Sequence, residues 1–201
     1  MFGLRQAKRG AHSPLPHHTI HAIKPRMKAS PGQVLGEGKY LRLLNRDGWE
    51  YVERHSVRGI VAIMAITADR RLVLVEQFRP ALDARVIELP AGLVGDLAGA
   101  EHEDLVVAAH RELLEETGYA ADHLDFLFSG PLASGLSSTL MTYYRARGLK
   151  KVHAGGGDEH EDIVVHEVPL TETDAWLAAQ RAAGRYVDPR LYVALHLAAQ
   201  D

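Results

Sequence analysis

Residues 108–119 read AAHRELLEETGY, and no other stretch of the chain restricts its fold as tightly. Alanine, leucine and glutamate favour a helix, and Gly118 stands where a helix stop belongs. Positions three and four apart share one helical face, so Glu112, Glu115 and Glu116 bring three carboxylates together. The usual outcome of such a run is a solvated acidic face. Two features point elsewhere. The acids occupy the last turns, where the helix dipole disfavours negative charge. Arg111 lies four residues before Glu115 and eight after Glu103, close enough in projection to brace carboxylates. Clustered carboxylates that stay ionised need a compensating cation, and hard oxygen donors suit Mg²⁺, with Mn²⁺ as the alternative.

The surroundings of this helix alternate in a way that defines the fold class. YLRLL, the Asp47-Gly48 turn and WEYVER predict an N-terminal β-hairpin. RGIVAIMAIT, RRLVLVEQF and ARVIELP are apolar, β-branched runs of strand length. A helix is expected over 103–117, with Leu105, Val106, Ala109, Leu113 and Leu114 on or near one face. Strands return at HLDFLFSG, TLMTYYRARGL and EDIVVHEVPL. Thr171 with Asp174 predicts a capped helix through DAWLAAQRAA, and Asp188-Pro189 opens another through RLYVALHLAAQ. The order implies an α/β sandwich with a mixed sheet rather than a wound βαβ sheet.

Composition narrows the chemistry. The 201 residues suffice for one domain, and none is cysteine, so any metal must be held by oxygen or imidazole. The 12 histidines are scattered without ligand spacing. Residues 1–28 carry six Lys and Arg and no acid, so the remainder is more acidic than the net charge of −3 suggests. That argues against nucleic acid as a partner. Residues 1–36 read as a basic, flexible leader and 37–201 as the folded domain. No apolar run approaches the roughly 18 residues of a membrane span, and neither that nor the leader suggests export, so the expected location is the cytoplasm.

RELLEETGY, from Arg111 to Tyr119, resembles the second half of the Nudix box, G-x5-E-x7-R-E-U-x-E-E-x-G-U with U apolar. Glu103 stands at the required distance before Arg111, and Gly92 supplies the leading glycine. Ten residues separate Gly92 from Glu103 where the pattern has five, which reads as a loop insertion in GDLAGAEH. The resemblance covers roughly residues 38 to 199 and is nearest the ADP-ribose pyrophosphatase branch, through VEQFRPALDARVIELPAG and GGGDEHEDIVVHEV.

That resemblance implies a Nudix-type α/β/α sandwich and a Mg²⁺-dependent hydrolase of a nucleoside diphosphate sugar. It makes Glu112, Glu115, Glu116 and the backbone carbonyl of Ala91 the metal ligands, with Arg111 and Glu103 orienting the acids. Glu159 is the implied catalytic base, and Glu161 the second choice, as base or extra ligand. The glycines before them read as hinges of a lid. Arg58, Arg79 and Leu93 are the implied substrate contacts, the arginines because a guanidinium pairs with phosphate. The branch also implies a homodimer built through the hairpin. LASGLSSTLM lacks the proline of that branch's S-P-G-like segment, so sugars other than ADP-ribose stay open. The alternatives are a nucleotide-sugar sensor without catalysis and a Nudix hydrolase of another nucleotide class. The retained glutamates weigh against the first, and the late acidic loop against the second.

Overall fold

The computed structural model describes residues 30–157 and 161–200. The basic leader up to residue 29, with the expectation attached to it, lies outside them, as does Glu159.

Among the described residues thirteen strands and three α-helices follow in chain order. The first three are β1 (Gln33–Glu37), β2 (Leu41–Arg46) and β3 (Trp49–Arg54), which form one antiparallel sheet in that order. Asp47 and Gly48 both have positive φ, 53° and 86°, the geometry of a type I′ turn whose twist matches the strands it joins. The expected hairpin is therefore present, with one strand added. β1 begins at Gln33, ahead of the domain start at residue 37 that the sequence suggested.

Next come β4 (Gly59–Ala65), β5 (Arg71–Arg79), β6 (Ala84–Glu88) and β7 (Ala91–Val94), then α1 (Leu105–Thr117). After the helix follow β8 (Tyr119–Ala120), β9 (His123–Pro131), β10 (Leu140–Arg147), β11 (Lys150–Lys151) and β12 (Ile163–Pro169). The chain ends through α2 (Thr173–Ala182), β13 (Tyr186–Val187) and α3 (Leu191–Ala198). One four-stranded sheet has the order β7-β4-β10-β9 and the other β12-β5-β6-β13, and each mixes one parallel pairing with antiparallel ones.

Alternation along β4 shows why this is a sandwich with helices on both sides. Ile60, Ala62 and Met64 pack with Leu177 of α2 and Leu191 and Ala194 of α3. Val61, Ile63 and Ala65, pointing the other way, pack with Ala108, Ala109 and Leu113 of α1. A strand covered on both faces has no solvent side, so it reads as an unbroken apolar run.

The helices match the sequence expectation, with two corrections. Val106 is not part of the inward stripe of α1; it is exposed, and the buried positions are Ala108, Ala109, Leu113, Glu116 and Thr117. No capping bond forms from Thr171, because residues Leu170–Glu172 make a 3₁₀ turn and the Thr173 hydroxyl donates to Pro169 O instead, at 3.0 Å. Among the described residues no helix is long and apolar enough to cross a membrane.

Candidate active site

The inward stripe of α1 continues past Leu113 to Glu116, so helical geometry forces a carboxylate into the interior. Glu116 is 2% exposed, and its Oε2 accepts the Ala91 N–H of β7 at 2.9 Å. Burial pushes its carboxyl well above the ordinary range; the Ala91 bond opposes this, while Glu112 and Glu161 add to it and Arg79 opposes it. Glu112, one turn earlier, is likewise pushed up by burial, to about 7, against the opposing pull of Arg111.

Arg111 organises this half of the site. Its Nε and Nη2 donate to both oxygens of Glu103 at 3.1 and 3.0 Å, a bidentate pair. Nη1 donates to Glu112 Oε1 at 2.8 Å and to Glu115 Oε2 at 3.1 Å, and Nη2 also reaches Leu93 O at 3.2 Å. These bonds hold the Glu103 carboxyl below its usual range. One guanidinium thus offsets three acids and ties α1 to β7. Gly92 of β7 passes so close to the helix that a Cβ there would fall 1.8 Å from Glu112 Cδ.

Gly118 stops α1 in the left-handed conformation, φ 72°, with its N–H on Leu114 O at 2.8 Å. The glycines that the sequence suggested as lid hinges are docked here. Gly156 N–H donates to Glu116 O at 2.9 Å and Gly157 N–H to Glu115 O at 3.1 Å, filling carbonyls that a helix end leaves open. A Cβ on Gly155 would lie 2.5 Å from the Thr117 carbonyl carbon, so close approach is what requires glycine at that position.

The sequence-derived residues divide into those that share a cavity and those that do not. Arg79, Ala91, Leu93, Glu112, Glu116 and Glu161 line one cavity of about 790 Å³. Arg111, Glu103 and Glu115 are not among its lining residues; Glu115 is exposed and shares the Arg111 Nη1 with Glu112. Arg58 is placed elsewhere. Its Nη1 donates to the carbonyls of His102 and Glu103, both at 3.0 Å, pinning the inserted loop rather than facing the cavity. The insertion itself is folded into turns, Ala100 N–H to Leu97 O at 3.0 Å and Glu103 N–H to Ala100 O at 2.9 Å. It delivers Glu103 to Arg111 despite its extra length.

Several cavity residues were not among the site residues expected from sequence: Arg54 at the end of β3, Asp96, Glu88, Tyr143, Asp188 and Arg190. They come from segments far apart in the chain. Glu88 lay inside ELPAG, Asp96 inside the GDLAGAEH insertion and Asp188 in the Asp-Pro pair read as a helix start, none of them singled out for a role in the site.

Among the described residues no three His, Asp or Glu side chains converge as a ready cation site. The donor set still suits a divalent metal. Two buried carboxylates one turn apart are pressed toward the neutral form by burial, and their only nearby guanidinium bonds are those of Arg111 to Glu112. A cation beside them would supply the missing charge.

The NUDIX domain family model matches residues 56–190, which hold β4 through β13, the acidic helix and the cavity lining apart from Arg54. Named relatives include the methanol dehydrogenase activator of Bacillus methanolicus, 37% identical over 124 residues, 61% of this chain and 64% of that one. The ADP-ribose pyrophosphatase of Bacillus subtilis (strain 168) is 31% identical over 115 residues, 57% of this chain and 60% of that one. This chain therefore spans under two thirds of the length of those two relatives. The GDP-mannose pyrophosphatase of Escherichia coli (strain K12) is 30% identical over 164 residues, 78% of this chain and 76% of that one. A solved structure, "Crystal structure of ADP compounds hydrolase", superposes with a TM-score of 0.64 at 22% identity, over 86% of this chain and 91% of that one, a likeness of fold. Because the family model spans more than half of the chain, and a relative 30% identical is covered over 76% of its length, the chain belongs to the NUDIX domain family.

Proposed function

We propose that the chain hydrolyses the diphosphate linkage of ADP-ribose or a related nucleoside diphosphate sugar, giving a nucleoside monophosphate and a sugar phosphate. The observation that carries the reading is the cavity in which Glu112 and Glu116 meet Arg79 and Glu161. Relatives named for ADP-ribose and GDP-mannose pyrophosphatase activity support the substrate class.

Glu112 and Glu116 would hold a divalent metal, Mg²⁺ in our reading and Mn²⁺ as the alternative, with the Ala91 carbonyl and Glu115 completing the set. When bound, such an ion neutralises charge that develops on phosphate oxygens and makes water a better nucleophile. The chain's own residues do the rest. Arg111 fixes Glu112 and, with Glu103, sets the angle at which α1 presents its acids. Arg79, whose charge is felt by Glu116, offers a guanidinium to a phosphate. A loop acid takes the proton of the attacking water: Glu161 lines the cavity, and Glu159 is the acid that the family resemblance implies. Leu93 and Arg54 shape the walls. Exposed Val34, Leu35, Tyr40 and Trp49 on the N-terminal sheet support the homodimer reading.

The test is incubation of the purified protein with Mg²⁺ and ADP-ribose, GDP-mannose, UDP-glucose and nucleoside triphosphates, with products separated by chromatography. Release of a nucleoside monophosphate from a diphosphate sugar is expected. Cleavage of triphosphates alone would overturn the substrate class, and no cleavage of any member would overturn the hydrolase reading.

A further inference from the structure

The cavity has a second polar pole away from the acidic helix. Arg79 stands between the two: near Glu116 on one side, it donates from Nε to Glu88 Oε2 at 2.7 Å on the other. Glu88 closes β6 and is 7% exposed. Its Oε1 lies 3.6 Å from Arg190 Nη2, within ion-pair range but too long for a hydrogen bond. Arg190 is itself fixed by Asp188, whose oxygens accept from Nε at 2.8 and 2.7 Å, from Nη2, and from the backbone N–H at 2.8 Å. Asp188 is thus saturated. Glu88 Oε1 receives no hydrogen bond among the described residues.

Glu88 lines the cavity, so this oxygen is open to accept from a donor that enters it. The two carboxylates at this pole repel a phosphate, so what docks here is the group attached to the phosphate that Arg79 meets. That group must donate to one oxygen and accept from the guanidinium beside it. Hydroxyls do both. The edge of a guanine, with neighbouring donors, would need both carboxylate oxygens, and Oε2 is already taken by Arg79. Tyr143, stacked on Phe128 with ring centroids 4.5 Å apart, adds an aromatic wall of the kind sugars pack against. We propose that Glu88, buttressed by Arg190, forms the subsite that reads the hydroxyls of the sugar carried on the diphosphate. This inference rests on the substrate class proposed above.

Its test is equilibrium binding in EDTA, where no hydrolysis interferes, comparing ADP-ribose and GDP-mannose with the β-methyl esters of ADP and GDP. The wild type should bind at least one sugar nucleotide ~10-fold or more tighter than its methyl ester, the scale of one charge-assisted hydrogen bond. Glu88→Gln and Arg190→Gln should each shrink that ratio to within ~3-fold while leaving methyl-ester affinity within ~3-fold of wild type. Equal binding of sugar and methyl ester by the wild type would overturn the proposal. So would variants that weaken both ligands alike, or that change the preference between ADP and GDP esters. Thermal melting checks folding; should Glu88→Gln fail to fold, Arg190→Gln decides alone, and the wild-type ratio decides if neither folds. Hydrolysis in Mg²⁺ is scored separately. An intact sugar preference without hydrolysis would remove the enzyme reading and leave the subsite standing.

Discussion

Replacing Gly92 by alanine places a methyl group where the structure has a carboxylate. The added Cβ would fall 1.8 Å from Glu112 Cδ and 2.0 and 2.2 Å from its oxygens, so both cannot remain. What it meets is the far end of a flexible side chain, not backbone, and the carboxylate moves rather than the strand. Glu112 loses its 2.8 Å bond from Arg111, while β7 keeps its pairing with β4. The stability cost should therefore sit at or below the low end for overpacking, about 1 kcal/mol, or ~2–4 °C in Tm for a chain of this size. Activity should suffer far more, since displacing a reacting group by about 1 Å costs on the order of 100-fold. The assay pairs thermal melting with steady-state hydrolysis of the best diphosphate sugar in Mg²⁺. Gly36→Ala is the control, because a Cβ at Gly36 meets nothing within 4 Å. Near-normal kcat/KM in Gly92→Ala would refute the role given to Glu112. A collapse of Tm would show that the backbone, not the carboxylate, gives way.

Glu116→Gln should lower kcat by orders of magnitude with folding retained, since the amide keeps an acceptor for the Ala91 N–H; normal turnover would remove Glu116 from the metal site. Arg58→Ala should lower kcat modestly, about 10-fold or less, by loosening two carbonyl contacts of the inserted loop; a rise in KM alone would restore it as a substrate contact. Glu76, 3% exposed, is opposed by burial, yet the bonds from Arg185, His166 and Arg85 outweigh this and hold its carboxyl below the ordinary range. Because the folded pKa is depressed, its contribution is present above the unfolded value and lost as pH falls through the folded one. Glu76→Gln should thus cost about 3 kcal/mol at neutral pH, by breaking buried pairs, and much less at acid pH; denaturant melts at both pH values check this. Trp49→Glu should shift the protein toward monomer in sedimentation, and an unchanged mass would set aside the homodimer reading.

What could be read from sequence follows from how far each signal extends along the chain. β4 and β5 were legible because burial on both faces makes every residue apolar, and α1 because its acids and Gly118 break the rules of an ordinary surface helix. β1 escaped notice since all five of its residues are exposed and leave no periodic pattern. β7 was hidden by its four-residue length, and β8, β11 and β13 by having two residues each. One side of the cavity was legible for the same local reason: Glu112 and Glu116, with the Arg111 that braces Glu112, lie within one helix. The other side, Glu88 with Asp188 and Arg190, is assembled only when β13 pairs beside β6, an event between segments about 100 residues apart that no window of sequence records. Arg58 was expected at a phosphate because a guanidinium suits phosphate and backbone carbonyls equally; in the fold it meets the carbonyls of His102 and Glu103.

The docking of Gly156 and Gly157 on the end of α1 acts as a leash. Four peptide steps link Gly157 to Glu161, which limits their separation to roughly 14 Å at full extension. While those two amide bonds hold, Glu161 can swing no farther than that tether allows. A wider departure would have to strip the carbonyls of Glu115 and Glu116, so only the largest excursions of the acid are coupled to the last helical turn. Amide hydrogen exchange at Gly156 and Gly157 would then report how often the site comes apart.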